Sequence, residues 1–103
     1  MNLTADEGYM YFVQRTQAMA RSSGHDVVGW EEIWNHFGTK LDPSAIIHIW
    51  LPGSSTSPAI TAAGYRIIWS PRGPWYLDLL DQSWQSMYSA DPCTGVADAA
   101  CDI

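Results

Sequence analysis

Positive charge is scarce in this chain. Five Lys and Arg stand against eleven Asp and Glu for a formal net charge of -6, and the five, Arg15, Arg21, Lys40, Arg66 and Arg72, are scattered. Binding a nucleic-acid backbone needs clustered cations that displace counterions, so no nucleic acid is expected as a partner. Long apolar runs are also missing. No stretch approaches the ~18 uninterrupted apolar residues of a membrane span, and Met1 to Glu7 reads as a helix start rather than the charged-then-apolar layout of a signal peptide. Cysteine is limited to Cys93 and Cys101. They lack C-x-x-C spacing and a nearby His pair, and His25, His36 and His48 do not share helical metal spacing, so no metal site is expected. The two cysteines either form a disulfide, worth ~2–3 kcal/mol for so short a loop, or stay as free thiols. Asn2-Leu3-Thr4 is a glycosylation sequon, which matters only in a secreted protein.

Tryptophan, by contrast, is abundant. Six in 103 residues are too many to spread singly over a small core, because each ring needs a large buried area and an N–H partner. Some should line a cleft. Three segments are alike: Gly73-Pro74-Trp75-Tyr76-Leu77-Asp78 sets an aromatic pair and a carboxylate just after an apolar strand-like segment, and Val27-Val28-Gly29-Trp30-Glu31-Glu32 and Ile46-Ile47-His48-Ile49-Trp50 each carry an apolar stretch into a tryptophan. Flat rings suit the C–H face of a pyranose, and a carboxylate accepts hydrogen bonds from its hydroxyls.

The organisation along the chain supports a shared site. Thr4 and Glu7 form a capping box before a helix from Ala5 to Ser23, with Tyr9, Phe12, Val13, Thr16, Met19 and Ala20 at helical spacing and Gly24 as the stop. Val27 to Trp30 reads as a buried strand, Glu31 to Phe37 as a short helix ended by Gly38, and Ala45 to Trp50 as a second buried strand. Ser57 is the expected cap of a helix with Pro58 in its first turn and Gly64 at its end. Tyr65 to Ser70 is a third strand, and Gln82 to Tyr88 a last helix with Asp81 as its cap. Helix and strand alternate, which is the pattern of βαβ units and a parallel sheet. Helices on one face of such a sheet leave the other bare. The expectation is therefore an α/β piece of a larger barrel, since a complete (β/α)8 barrel takes about 250 residues. Trp30, Trp50 and the group Trp75-Tyr76-Asp78 then fall at the C-terminal rim, where barrel active sites are built.

Gly29-Trp30-Glu31-Glu32, Ile47-His48-Ile49-Trp50, Trp75-Tyr76-Leu77-Asp78 and Met87-Tyr88-Ser89-Ala90-Asp91-Pro92, in that order, resemble the C-terminal half of the catalytic barrel of family 20 glycoside hydrolases, the β-N-acetylhexosaminidases. Residues 9–14 fit the helix that precedes the Trp-Glu-Glu strand in that family. The resemblance implies that residues 1–103 are part of one catalytic TIM-barrel domain, with 93–103 as loop. It also implies removal of terminal N-acetylglucosamine or N-acetylgalactosamine from glycans and glycoconjugates, with no cofactor and with retention of configuration. The substrate's own acetamido oxygen attacks the anomeric carbon, and an Asp-Glu pair orients that group and serves as acid and base. Carried over, Trp30 and Trp50 wall the pocket, Tyr76 donates its hydroxyl to the acetamido oxygen, and Asp78 accepts from a hydroxyl on the far side of the sugar. The Asp-Glu pair belongs to a Gly-Gly-Asp-Glu type motif that this sequence does not contain, and neither the Gly-Glu-Ala motif with the last pocket tryptophan nor the sugar-binding arginine is here. The 103 residues alone are expected to be inactive. The resemblance further implies the rest of the barrel as a partner, allows a homodimer of the whole enzyme, and points to a lysosomal, vacuolar or secreted setting.

The same residues admit other roles. Adjacent Glu31 and Glu32 point about 100° apart on a helix and favour its N-terminus, so a catalytic pair is not expected, although Glu32 is a candidate to bond a pocket group. Trp34, Trp69 and Trp84 are expected to pack in the core, and His48 to be a hydrogen-bonded sheet residue. The alternative function is a non-catalytic carbohydrate-binding module using the same aromatic wall. A third reading has the tryptophans buried against a protein partner.

Overall fold

The computed structural model describes residues 3–52 and 55–94. Its elements are α1 (Ala5–Ser22), β1 (Val28–Trp30), α2 (Glu31–Phe37), a 3-10 turn (Gly38–Lys40), β2 (Ile46–Ile49), α3 (Ser57–Ala62), β3 (Arg66–Trp69) and α4 (Trp84–Ser89). The strands form one parallel sheet in the order β1-β2-β3. Asn2 of the sequon and Cys101 lie outside the described residues; Cys93 is disulfide-bonded.

Local chemistry sets the helix ends. Thr4 Oγ1 accepts from the Glu7 amide at 3.2 Å while Glu7 Oε2 accepts from the Thr4 amide at 2.8 Å, a reciprocal cap that satisfies two amides the helix leaves unpaired. At the other end, Gly24 turns at φ +80°, letting its amide reach Arg21 O and the His25 amide reach Ala20 O. Gly64 repeats this after α3 at φ +85°, with its amide on Thr61 O and that of Tyr65 on Ile60 O. Both are Schellman endings, and each turns the chain toward the next strand within four residues. β1 then passes beneath the first turn of α2 at Gly29, where a Cβ would lie 2.1 Å from Ile33 Cδ1.

The registers place Gly29, Ile47 and Ile67 in one row and Trp30, His48 and Ile68 in the next. Ile47 and Ile49 face the helices and join Val13, Ile33, Phe37, Leu41, Ala45, Ile60 and Tyr65 in the core. Tyr65 closes this core by donating its hydroxyl to Leu41 O at 2.9 Å, and Trp34 and Trp69 pack against it as expected. The opposite face carries Val28, Trp30 and Ile68, all exposed.

Four expectations need correction. β1 is not a buried strand, because no described element covers its second face and Val28 and Trp30 stay about half open. Of the stripe expected on α1, Val13 is buried and Thr16 and Ala20 are half-buried, but Phe12 and Met19 are exposed and Gln17 is buried in their place. Helix α3 begins with Ser57, not after it, and Thr56 at its cap position makes no side-chain capping bond, its hydroxyl donating instead to Glu31 Oε1. Helix α4 is capped by Ser83, whose Oγ accepts from the Ser86 amide at 3.2 Å. Asp81 therefore lies outside it, and Trp84 is 67% exposed rather than core.

Candidate functional site

The C-terminal ends of the three strands bring their aromatic residues together. Trp30 ends β1, Trp50 follows β2, and Tyr76 is carried by the loop after β3. That loop is folded back on the sheet: the Ser70 amide donates to Ile49 O, the Arg72 amide to Trp50 O, and the Trp75 and Tyr76 amides both to Pro71 O. Gly73 at φ +118° supplies the reversal. The ring of Trp30 meets that of Trp50 edge-on at 5.8 Å, and Trp50 meets Tyr76 at 5.6 Å with 38° between planes. Behind them, His48 stacks on Trp30 at 4.8 Å and hydrogen-bonds Ser70 Oγ through Nε2.

These rings border an open cleft of about 400 Å³ lined by Tyr9, Trp30, Glu32, Ile33, Trp50 and Tyr76. Its volume is within the range of small-molecule sites. Three of the four sequence-derived site residues, Trp30, Trp50 and Tyr76, border it. Asp78 does not. Leu77 adopts a left-handed φ of +60°, uncommon for a side chain other than glycine and costly enough to need support, and the chain then places Asp78 Oδ2 at 2.9 Å from Arg72 Nε.

Two neighbouring carboxylates hold the wall, on different atoms. Glu32 Oε2 accepts from the indole nitrogen of Trp50 at 3.1 Å, which fixes how that ring is turned. Glu31, only 1% exposed, accepts instead from main chain and a hydroxyl: Oε2 from the amides of Trp50 at 3.4 Å and Leu51 at 3.2 Å, Oε1 from Thr56 Oγ1 at 2.9 Å. The sequence had no means to assign Glu31 to these donors, because they lie about 20 residues on, in the loop between β2 and α3. Sequence reasoning also missed Tyr9, Ile33 and Arg72. Tyr9 reaches the cleft from α1 through contact with Phe37 at 5.0 Å and His36 at 5.5 Å; its place in the helical apolar pattern was the available signal.

The arrangement suits a flat, partly apolar ligand that also carries hydroxyls. Stacked and edge-on rings offer dispersion surface to C–H faces, and the Tyr76 hydroxyl and Glu32 carboxylate supply a donor and an acceptor on the same wall. No helix among the described residues is long and apolar enough to cross a membrane.

Comparison with known proteins agrees on one family. Residues 3–100 match the model for glycosyl hydrolase family 20, catalytic domain. The chain is 41% identical over 97 residues to beta-hexosaminidase 1 of Arabidopsis thaliana, covering 94% of this chain and 18% of that protein. It is 38% identical over 96 residues to beta-hexosaminidase 3 of the same plant, with 93% and 18% covered. With the beta-hexosaminidase subunit beta of Homo sapiens it shares 27% identity over 86 residues, 80% of this chain and 15% of that subunit. The chain thus spans less than a fifth of the length of these relatives. No solved structure matches it significantly. With its aromatic rim, its parallel βα units and a family match over nearly its whole length, the chain belongs to glycosyl hydrolase family 20, in the catalytic domain.

Proposed function

We propose that these residues form one wall of the amino-sugar pocket of a β-N-acetylhexosaminidase, and that the three βα units are part of a larger (β/α)8 barrel. The observation that carries this is the convergence of Trp30, Trp50 and Tyr76 on one cleft at the C-terminal end of the sheet. The substrate is a glycan or glycoconjugate ending in N-acetylglucosamine or N-acetylgalactosamine. The reaction is retaining hydrolysis in which the acetamido oxygen is the nucleophile, unlike the usual scheme with a carboxylate nucleophile.

In this reading each residue has a separate task. Trp30 and Trp50 press on the pyranose and acetamido methyl, holding the acetamido oxygen near the anomeric carbon. Intramolecular attack gains its rate from that preorganisation. Tyr76 donates to the acetamido oxygen as charge develops in the cyclic intermediate, where a placed donor is worth more than in the ground state. Asp78 accepts from a sugar hydroxyl through Oδ1 while Oδ2 remains on Arg72. The Asp-Glu pair for acid and base work comes from elsewhere in the whole protein, which operates in a lysosomal, vacuolar or secreted compartment.

The test is made on the full-length gene product with 4-nitrophenyl glycosides. Hydrolysis of the N-acetyl-β-glucosaminide with little action on the β-glucoside is expected, together with a tryptophan-fluorescence change on adding N-acetylglucosamine. Binding without hydrolysis would favour a carbohydrate-binding module instead. Absence of both binding and hydrolysis would refute a sugar site.

A further inference from the structure

We propose that Glu31 is the positioning residue that holds Trp50 against Trp30, acting through the main chain of Trp50 rather than on substrate. The proposal rests on the reading that these rings wall the sugar pocket. Burying a carboxylate is costly unless hydrogen bonds compensate it, and Glu31 is among the most buried side chains present. Its bonds to Trp50, Leu51 and Thr56 run away from its own helix. It leaves the chain directly after Trp30, at the first position of α2, and reaches the amides of Trp50 and Leu51 and the hydroxyl of Thr56. One side chain thereby ties the end of β1 to the end of β2 and the start of α3.

The place where it acts is where the sheet stops helping. β2 ends at Ile49, so the next two amides need a different acceptor, and an amide buried without one is expensive. Glu31 Oε2 provides it. Meanwhile Trp50 O accepts from the Arg72 amide at 2.9 Å, and its indole N–H is held by Glu32. The residue is therefore fixed at its amide, its carbonyl and the edge of its ring. Removing Glu31 frees the first of these and lets the peptide move, which alters the 5.8 Å separation of the two rings. Glutamine is the informative substitute. Its Oε can accept from both amides while its NH2 donates to Thr56 Oγ1, so the same three contacts survive with the hydroxyl turned round.

The experiment uses the full-length protein carrying 5-fluorotryptophan, with the Trp50 resonance assigned by its loss in Trp50→Phe. In Glu31→Ala the Trp50 19F resonance should shift or broaden, while that of Trp34, packed on Tyr65, stays in place. Hydrolysis of the N-acetyl-β-glucosaminide should fall about a hundredfold in kcat/KM, the scale of a small misplacement of a positioning group. Glu31→Gln should restore both the resonance and most of the rate, which a generic loss of fold would not do. Should Glu31→Ala not fold, Glu31→Asp, one methylene short of the two amides, should show the same Trp50 shift and rate loss. A Trp50 resonance unmoved in the folded variant, or a rate loss just as large in Glu31→Gln, would overturn the proposal. A wild-type protein without hexosaminidase activity whose Trp50 resonance still responds to Glu31→Ala would support the clamp and refute the functional reading alone.

Discussion

Replacing Gly29 by alanine should destabilise the protein through a single contact. Gly29, in the middle of β1, pairs with Ile47 of β2, and a Cβ there would meet Ile33 Cδ1 at 2.1 Å and Cγ1 at 3.1 Å. Ile33 is a buried core residue, so its terminal methyl has to retreat by roughly an ångström or more into packed surroundings. Overpacking of this kind costs about 1–3 kcal/mol, offset by the ~0.5–1 kcal/mol that alanine gains over glycine in a strand through lower unfolded-state entropy. A net loss of about 1–2 kcal/mol is expected. Ile33→Val removes Cδ1 and by itself costs about 0.5–1.5 kcal/mol. If the methyl is the obstacle, the double variant should be more stable than the sum of the single losses predicts, by about 1 kcal/mol. Denaturant midpoints of the full-length protein and its three variants give this coupling. Additivity within about 0.5 kcal/mol, or a Gly29→Ala protein as stable as wild type, would refute the reasoning. Because Ile33 also lines the cleft, Gly29→Ala should weaken binding of N-acetylglucosamine as well.

Tyr65→Phe should lower stability by about 1–2 kcal/mol, because Leu41 O would be left buried without its donor; an unchanged melting temperature would exclude that role. The Asp42 carboxyl is held below its ordinary value of 3.8 by hydrogen bonds from the Ser44 hydroxyl and amide, with a smaller contribution from Arg21. The folded state thus binds its proton less readily than the unfolded chain, so its stabilisation is present above the ordinary carboxylate value and is lost as pH falls through the lower folded value. Asp42→Asn should therefore make the acid limb of a melting-temperature profile shallower while leaving its slope around neutral pH unaltered. A steeper acid limb would contradict the assignment.

The parts of the fold legible in the sequence were those fixed by backbone chemistry. Gly24 and Gly64 stop their helices because they adopt positive φ there, Pro58 fits the first turn of α3, and β-branched runs such as Ile46-Ile47 form parallel strands. Strand ends could be placed closely enough to bring Trp30 and Trp50 to one rim. What escaped was set by tertiary surroundings. The exposed face of α1 carries Phe12 and Met19 as readily as its buried face carries Gln17, so periodicity placed Val13 correctly but not the edges of the stripe. Ser83 displaced Asp81 as the cap of α4 through a single local bond. At the site, nothing in Trp75-Tyr76-Leu77-Asp78 reveals that Leu77 takes a positive φ or that Asp78 Oδ2 pairs with Arg72. Glu31 and Glu32 read as neighbours on a helix, yet one holds a main chain and the other an indole.

The central claim is that the aromatic cleft positions an acetamido group for attack, and Tyr76→Phe in the full-length enzyme tests it most directly. The substitution keeps the ring that meets Trp50 at 5.6 Å and removes only the hydroxyl. The account predicts a loss of about 10²–10³ in kcat on an N-acetyl-β-glucosaminide, the scale of one donor to a developing charge, with a far smaller change in binding of N-acetylglucosamine. Unchanged kcat, or a loss confined to binding, would contradict it.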